Sequence, residues 1–253
     1  MAQLLTKENE EIERMMEEIA IEVRARAQHL VTEDDTPMDN IFSEKQQRLL
    51  TEPLYTSWPG PAGETGEQRR FFAAANVGVF RTLRAPAIVP DVFLSLDVEL
   101  AEDWYDKSHR SYFIWEFGKA PDVVIEIVSN REGHELGSKL HDYAQIAVPY
   151  YVVYDLLRQL GDQVLRIYEL HGGQYVSRVD RHFSLIGLGL TLWEGAYEGK
   201  HAIWLRWLDA QGALLPTGAE RAQHEAERAQ REMERAEKLA ARLRELGIDP
   251  DQI

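Results

Sequence analysis

The stretch Ala120–Asp155 constrains the fold more than any other part of the chain. Val123–Val128 is a short run of mostly β-branched apolar residues, which predicts an interior β-strand rather than a free-standing helix. Apolar residues then recur at helical spacing, and a proline separates them from a second apolar run, Tyr150–Asp155. The residues at helical spacing are Leu136, Leu140, Tyr143 and Ala147, and the proline is Pro149. The stretch therefore predicts a strand, a short helix and a second buried strand.

One charged residue, Glu126, interrupts the first of these strands. A carboxylate inside an apolar strand is costly to bury unless it has a charged partner or binds a metal ion. Glu126 is therefore the strongest functional clue in the sequence.

Composition limits the classes of protein and of site. The chain has 253 residues, of which 44% are hydrophobic, enough for one sizeable domain with an appendage or for two small ones. It has no cysteine, so disulfides, thiolate nucleophiles and cysteine-based zinc sites are excluded. No signal-like segment and no run of roughly 18 apolar residues is present, which predicts a cytoplasmic protein without a membrane span. The net charge of −15 lowers the expectation of broad nucleic-acid binding without excluding a local phosphate-binding groove.

The rest of the central region alternates apolar runs with breaker-rich loops. A helix is expected at Ile41–Leu54, and a loop rich in proline and glycine follows at Ser57–Gln68. Strands are expected at Phe71–Leu83, Ala87–Val98, Val164–Leu170, Gln174–Val179, Leu188–Trp193 and Ile203–Trp207. An aromatic-rich connection occupies Ala101–Lys119. The runs at Val164–Leu170 and Gln174–Val179 predict a meander of short antiparallel strands, and the last two runs are further short strands.

The two ends of the chain predict helices. Lys7–Leu30 has an amphipathic pattern, and a polar linker follows at Thr32–Asn40. Ala219–Leu246 repeats every seven residues, with an alanine-rich seam typical of a coiled coil that associates with itself or with the N-terminal helix. A solvated single helix is the alternative. The expected division is an N-terminal helix and linker at 1–38, a core domain at 39–210 and a C-terminal helix at 217–247.

Three residues of the central region could meet: Asp91, Glu126 and Lys139. Asp91 follows Pro90 at the start of an apolar strand. If its strand neighbours that of Glu126, the two carboxylates form a pair of hard oxygen ligands suited to Mg²⁺ or Mn²⁺. Lys139 lies at the rim of the following helix and could point back toward them. Each residue also has a purely structural interpretation. Asp91 is then a turn residue, Glu126 a member of a structural ion pair, and Lys139 a solvated lysine of the helix.

These residues carry a resemblance to a known family. VPDVFLSLDV, then APDVVIEIVSN, then GSKLHDYAQIAVPYYVVYD resemble the Uma-two family of restriction-endonuclease-like proteins in the PD-(D/E)XK nuclease superfamily. The resemblance covers about Asn40–Trp193 and is most specific over Pro121–Asp155. The C-terminal repeat also resembles the tail of many members.

The resemblance implies an α/β fold with a mixed four-stranded sheet flanked by helices, plus the additional antiparallel strands and terminal helices described above. It implies that Asp91 and Glu126 are metal ligands. The superfamily lysine would stand at Val128, and Lys139 is its natural substitute. A polar residue of the first core helix usually completes such a site, and three residues lie in the right region: Glu44, Gln46 and Gln47.

The resulting expectation is a Mg²⁺- or Mn²⁺-dependent endonuclease that hydrolyses DNA phosphodiester bonds, dimeric through its terminal helices. The alternative is a nuclease-fold protein that no longer cuts and serves as an assembly module. A purely structural scaffold leaves the acid at Glu126 unexplained. The sequence leaves open whether the substrate is DNA or RNA, and which target sequence or strand is preferred.

Overall fold

The computed structural model of the protein describes residues 2–27, 40–63, 66–103, 105–129 and 134–245. The helices are α1 (Ala2–Ala27), α2 (Ile41–Ser57), α3 (Ile114–Phe117), α4 (Ser138–Gln145) and α5 (Gly218–Glu245), with a 3-10 turn at Lys107–His109. The strands are β1 (Phe71–Ala75), β2 (Val79–Phe80), β3 (Val92–Leu96), β4 (Tyr112–Phe113), β5 (Val123–Ile127), β6 (Tyr150–Tyr154), β7 (Leu165–His171), β8 (Gln174–Arg178), β9 (His182–Phe183), β10 (Leu188–Tyr197) and β11 (Lys200–Leu208).

A six-stranded mixed sheet in the order β1-β3-β5-β6-β7-β8 forms the centre of the fold. β5 and β6 are parallel and are joined through α4, while the other neighbouring pairs are antiparallel. The strand–helix–strand unit expected from the sequence is thus confirmed. The sheet contains six strands rather than four, because the predicted hairpin of β7 and β8 adds to its edge. The structure is consistent with a restriction-endonuclease-like α/β fold.

The sheet is covered on both faces, which is why its central strands are almost entirely apolar, with Glu126 in β5 as the charged exception. One face packs against α2 and the β10–β11 hairpin through residues that include Leu50, Ile125 and Trp207. The other face carries Val124, Val128 and Tyr143, among others. β5 and β6 are buried at every position. Glu126 therefore lies in a strand whose every residue is buried.

Two of the predicted strands are shorter than expected, and both corrections have a local cause. Phe71–Leu83 divides into β1 and β2, because Asn76 between them adopts a left-handed backbone with φ of 54°. The strand predicted at Ala87–Val98 is ordered as β3 only from Val92, since Pro90 lacks the N–H that a ladder requires. β3 ends before Asp97, which has φ of 57°.

The helix between β5 and β6 is also shorter than its apolar pattern predicted. α4 ends at Gln145, and Ala147 adopts a left-handed backbone with φ of 61° ahead of Pro149. Tyr143 is fully buried, whereas Leu136 precedes the helix and is exposed. The pattern therefore located the helix correctly but overextended it at both ends.

The hairpins of the second half follow their turn residues. β7 and β8 turn at Gly172 and Gly173, and β10 and β11 turn at Glu198 and Gly199, with positive φ at all four positions. Such pairs of left-handed residues fit the twist of a two-residue hairpin. Both turns lie between strands that the sequence predicted, whereas β9 was not predicted, because a two-residue strand has no period to detect.

Both terminal helices are present, and their described side chains are largely exposed. Every residue of α5 is at least partly exposed, and among the side chains of α1 that the structure describes five large apolar ones are exposed: Ile12, Met15, Met16, Ile19 and Ile21. Residues 28–39, which include most of the predicted linker, and residues 246–253 lie outside the described residues. No helix in the described ranges has the length and apolarity that a membrane crossing requires. The division into 1–38, 39–210 and 217–247 stays a prediction.

Candidate active site

Strand register brings the two predicted acids together. β3 and β5 are antiparallel with Val92 opposite Ile125, and continuing this register by one residue places Asp91 opposite Glu126. Directly opposed residues of an antiparallel pair point to the same face of the sheet. Asp91 Oδ2 also accepts a hydrogen bond of 2.6 Å from the backbone N–H of Ile127. The Asp91 carboxylate is thus fixed beside that of Glu126 where β3 begins.

Glu126 is almost completely buried, and each of its carboxylate oxygens has a partner on α4. Lys139 Nζ donates to Oε2 at 2.8 Å, and the hydroxyl of Tyr143 donates to Oε1 at 2.6 Å. These two residues are four apart, so they lie one above the other on the same face of α4. The helix therefore presents both donors to a single carboxylate.

Burial and the neighbouring charges both shift the pKa values of the residues in this cluster. Burial raises the pKa of Glu126, although Lys139, Tyr143 and Asp91 all favour the ionised form. Burial opposes the charge of Lys139, but the nearby carboxylates outweigh it and raise the pKa of this lysine, Glu126 most and then Asp91. Burial, followed by the charge of Glu126, raises the pKa of Tyr143 well above its usual value. The tyrosine thus stays a hydrogen-bond donor, and the lysine stays a cation.

Lys139 reaches the site from α4, as the sequence indicated. Its side chain is 30% exposed while that of Glu126 is 1% exposed, so the lysine connects the buried acids to solvent. The superfamily lysine position holds Val128, which is buried among apolar side chains on the same face of the sheet. A lysine at Val128 would have to be buried there, whereas α4 delivers its lysine from the rim.

Of the three candidates for the fourth position, α2 brings one to the acids. Gln47 Nε2 lies 3.2 Å from Asp91 Oδ1, and Gln47 is buried. Gln46 is buried too, but its amide group bonds both backbone groups of Leu205 in β11, at 2.8 and 3.0 Å. Glu44 is exposed and pairs with Arg48. The structure thus places Gln47 in the cluster and leaves Gln46 and Glu44 outside it.

Two further residues belong to this cluster and were not predicted. Asn76 stands opposite Asp91 when the β1–β3 register is continued, and its side-chain amide donates to Gln47 Oε1 at 2.9 Å. Tyr143 was interpreted only as an apolar residue of the helix. Its spacing of four from Lys139 was the available signal, whereas Asn76 gave none, because its strand was predicted to continue.

The sequence contains a second Pro-Asp pair, and its aspartate has a different environment. Asp122 Oδ2 accepts from the backbone N–H of Leu96 at 2.7 Å and from Lys119 Nζ at 2.5 Å. These bonds hold the start of β5 against the end of β3. Asp122 is thus part of the frame, at the other end of β5 from Glu126.

The donor set fits a hard divalent cation. No three acidic, histidine or cysteine side chains in the described part of the chain lie close enough together to hold a metal by themselves. Mg²⁺, however, is commonly bound by one or two carboxylates with water and substrate phosphate completing its coordination. Asp91 and Glu126 supply two carboxylates, and Gln47 supplies an amide beside them.

Comparison with known proteins identifies the family of the chain. A family model, Uma2, described as "Putative restriction endonuclease", matches residues 30–190, well over half of the chain. The match contains Asp91, Glu126, Lys139 and Gln47, while α5 lies beyond it. No curated protein gives a sequence match. Family membership supports a nuclease-like function. The chain belongs to the Uma2 family of restriction-endonuclease-like proteins.

Proposed function

We propose that the protein is a metal-dependent endonuclease that hydrolyses phosphodiester bonds of DNA at the cluster of Asp91, Glu126 and Lys139. The observation that carries this proposal is Glu126. It is a carboxylate with 1% exposure in the middle of a sheet, and it lies opposite a second carboxylate and beside a partly exposed lysine. A structural ion pair alone does not explain why Asp91 and Gln47 converge on the same point.

Asp91 and Glu126 are the residues that would hold the cation, with Gln47 beside Asp91. Nuclease-fold proteins of this kind usually use a divalent metal, and Mg²⁺ or Mn²⁺ fits an all-oxygen ligand set. When bound, the cation supplies Lewis-acid chemistry, activating a water and neutralising phosphate charge.

The remaining roles belong to side chains of the chain itself. The Lys139 ammonium, positioned by α4, orients the attacking water and stabilises negative charge on the pentacovalent phosphorus. The bond from the water oxygen to phosphorus forms while the bond from phosphorus to the sugar oxygen breaks. The attacking water loses a proton to solvent and the departing sugar oxygen takes one up from solvent, so the products are a phosphomonoester and a free hydroxyl. Tyr143 stays neutral throughout and fixes the Glu126 carboxylate through Oε1.

A second candidate function is an assembly module that does not cut. The observation that favours it is the exposure of both terminal helices, including the five apolar side chains of α1. These surfaces also fit an active nuclease, and we propose that they form a homodimer contact in either case. The assembly reading gives no account of the opposed acids.

Cleavage of supercoiled plasmid with Mn²⁺ or Mg²⁺ separates the two functions. We expect the wild type to nick and linearise the plasmid, and Glu126→Ala to lose this activity. Glu169→Ala is the matched control, because it removes a glutamate paired with Arg178 at 2.7 Å outside the cluster. The control should cut like the wild type.

Mn²⁺ titration by calorimetry decides among the negative outcomes. A wild type that neither cuts nor binds Mn²⁺ would favour the assembly module. A wild type that binds Mn²⁺ through Asp91 and Glu126 without cutting the plasmid would indicate that the plasmid is not its substrate. Cleavage that survives in Glu126→Ala would contradict the site.

A further inference from the structure

Four acidic side chains are buried in the part of the chain that the structure describes: Asp91, Glu126, Glu135 and Asp155. Three of them have both carboxylate oxygens hydrogen-bonded. Asp91 bonds Gln47 and the backbone of Ile127, Glu126 bonds its two partners on α4, and Asp155 bonds the backbone N–H groups of residues 159 and 160. Glu135 is the exception. It is 5% exposed, and its Oε2 is buried without a hydrogen-bond partner among the described residues.

Glu135 lies beside the candidate site. It precedes α4 and stands four residues before Lys139, and its backbone carbonyl accepts a 2.8 Å hydrogen bond from the buried hydroxyl of Tyr151. Its backbone is thus tied to β6. Its charge contributes to the raised pKa of Lys139, after those of Glu126 and Asp91. The ammonium of Lys139 therefore feels the charge of Glu135 as well as those of Glu126 and Asp91.

The geometry does not support Glu135 as a direct ligand of the cation that Asp91 and Glu126 would hold. Across the described ranges, no group of three carboxylates or histidines is close enough to share a metal ion, so Glu135 does not complete a set with Asp91 and Glu126. A different role follows from Lys139. Its Nζ bonds Glu126 Oε2, an oxygen that a cation on Glu126 would compete for. An ammonium displaced from Glu126 needs another acceptor.

We propose that Glu135 is a positioning residue that receives the ammonium of Lys139 when a divalent cation binds Glu126. The inference rests on the proposed function, because it requires a cation held by Asp91 and Glu126. It gives the lysine two carboxylate partners, Glu126 in the metal-free protein and Glu135 in the metal-bound protein. The unpartnered oxygen of Glu135 is then an acceptor kept ready for the second state.

Calorimetric titration of the full chain with Mn²⁺ tests this role without using activity. Glu135→Gln keeps the shape of the side chain and removes its charge. We expect it to bind Mn²⁺ about tenfold more weakly than the wild type, because the displaced lysine then lacks an ionised acceptor. Glu135→Asp should recover part of the affinity. Glu169→Gln is the matched control, since it neutralises an ion-paired glutamate on β7. Across the sheet, Glu169 is in register with Tyr150 and Val123, not with Glu126. It should bind like the wild type.

A double-mutant cycle shows whether Glu135 acts through the lysine. In a Lys139→Met background, adding Glu135→Gln should leave Mn²⁺ affinity unchanged. Lys139→Gln, which keeps a donor toward Glu126, serves as the background if the methionine variant does not fold.

Each other outcome overturns the inference. Equal Mn²⁺ affinity in the wild type and Glu135→Gln, with only a lower melting temperature, would make Glu135 merely structural. Equal weakening in both backgrounds would make it a metal ligand. A wild type that binds no Mn²⁺ would overturn the proposed function and this inference with it, so the two failures are distinguishable.

Discussion

Asp91 and Asp122 have the same local sequence, a proline followed by an aspartate at the start of an apolar strand. Their surroundings decide that they do different things. Asp122 bonds a backbone N–H and Lys119, which joins two strands. Asp91 faces Glu126 and Gln47. The pair is therefore a natural comparison between a frame residue and a site residue.

Asparagine substitutions separate these roles. We expect Asp91→Asn to reduce Mn²⁺-dependent plasmid cleavage by about 100-fold or more, as the loss of one preorganised electrostatic group commonly does. Asp122→Asn should retain cleavage and lower the free energy of unfolding by about 1–2 kcal/mol, because its bonds to Leu96 and Lys119 weaken. Cleavage rates and urea unfolding measure both effects. The reverse pattern would assign the site to Asp122.

The contribution of Glu126 to the stability of the protein should depend on pH in a defined direction. Burial raises its pKa, so the folded protein holds a proton on this carboxyl more readily than the unfolded chain does. The stability that this proton contributes is fully present below the unfolded pKa and is lost as pH rises through the raised folded pKa.

We therefore expect metal-free Glu126→Gln, which does not titrate, to be at least as stable as the wild type at about pH 8. Its advantage should shrink toward about pH 4, where the wild-type carboxyl is protonated in both states. Thermal unfolding in a chelator across this range measures the difference, and Mn²⁺ should stabilise only the wild type. A variant clearly less stable at the alkaline end would mean that the bond to Lys139 outweighs burial.

At the scale of elements, α2 carries two adjacent glutamines with different tasks. Gln46 satisfies the backbone N–H and C=O of Leu205 and fastens the helix to β11, whereas Gln47 reaches Asp91 past the beginning of β3. The helix is thus anchored by one amide so that the next one is held at the acids.

Replacing each glutamine in turn by alanine should separate the role of Gln46 from that of Gln47. Gln46→Ala leaves two buried backbone groups unpaired and should cost about 2–6 kcal/mol of unfolding free energy, at about 1–3 kcal/mol per group. Gln47→Ala should cost less stability and weaken Mn²⁺ binding. Urea unfolding and calorimetry on the same two proteins measure this. Unchanged Mn²⁺ affinity in Gln47→Ala would remove Gln47 from the site.

α4 brings a lysine to Glu126, although β5 itself carries none. Tyr143 and Lys139 lie on one face of the helix, and Pro149 and the left-handed Ala147 end it so that the chain can return as the parallel strand β6. The same helix face therefore packs the sheet and supplies both donors to Glu126.

At the scale of the whole molecule, the beginning of α5 is bonded to the core and the rest of the helix is exposed. Glu220 pairs with the buried Arg206 of β11 at 2.6 Å, and Arg221 bonds the backbone carbonyl of Thr56 in α2. From Ala226 to Glu245 nearly every side chain is exposed, including Met233 and Leu239. A helix with such a long exposed seam is suited to pairing with another copy.

Truncation at Ala226 tests that pairing and spares the contacts of Glu220 and Arg221. We expect the full chain to be dimeric and the truncated chain to have one chain mass by light scattering. The truncated chain should keep the melting temperature of its core domain within a few degrees, since its packed elements are intact. A dimer that persists would place the contact on α1 or on the core.

The sequence by itself determined the central strand–helix–strand unit, the family, and the acids and lysine as candidates. It did so because buried strands must be apolar, so that a lone glutamate within one is conspicuous. The tertiary structure decided what spacing along the chain cannot encode. It distinguished Gln47 from Gln46 and the donor Tyr143 from an ordinary core residue, and it added Asn76 and Glu135. These distinctions depend on strand register and on which elements meet at one end of β3, and both are set by contacts between residues far apart in sequence.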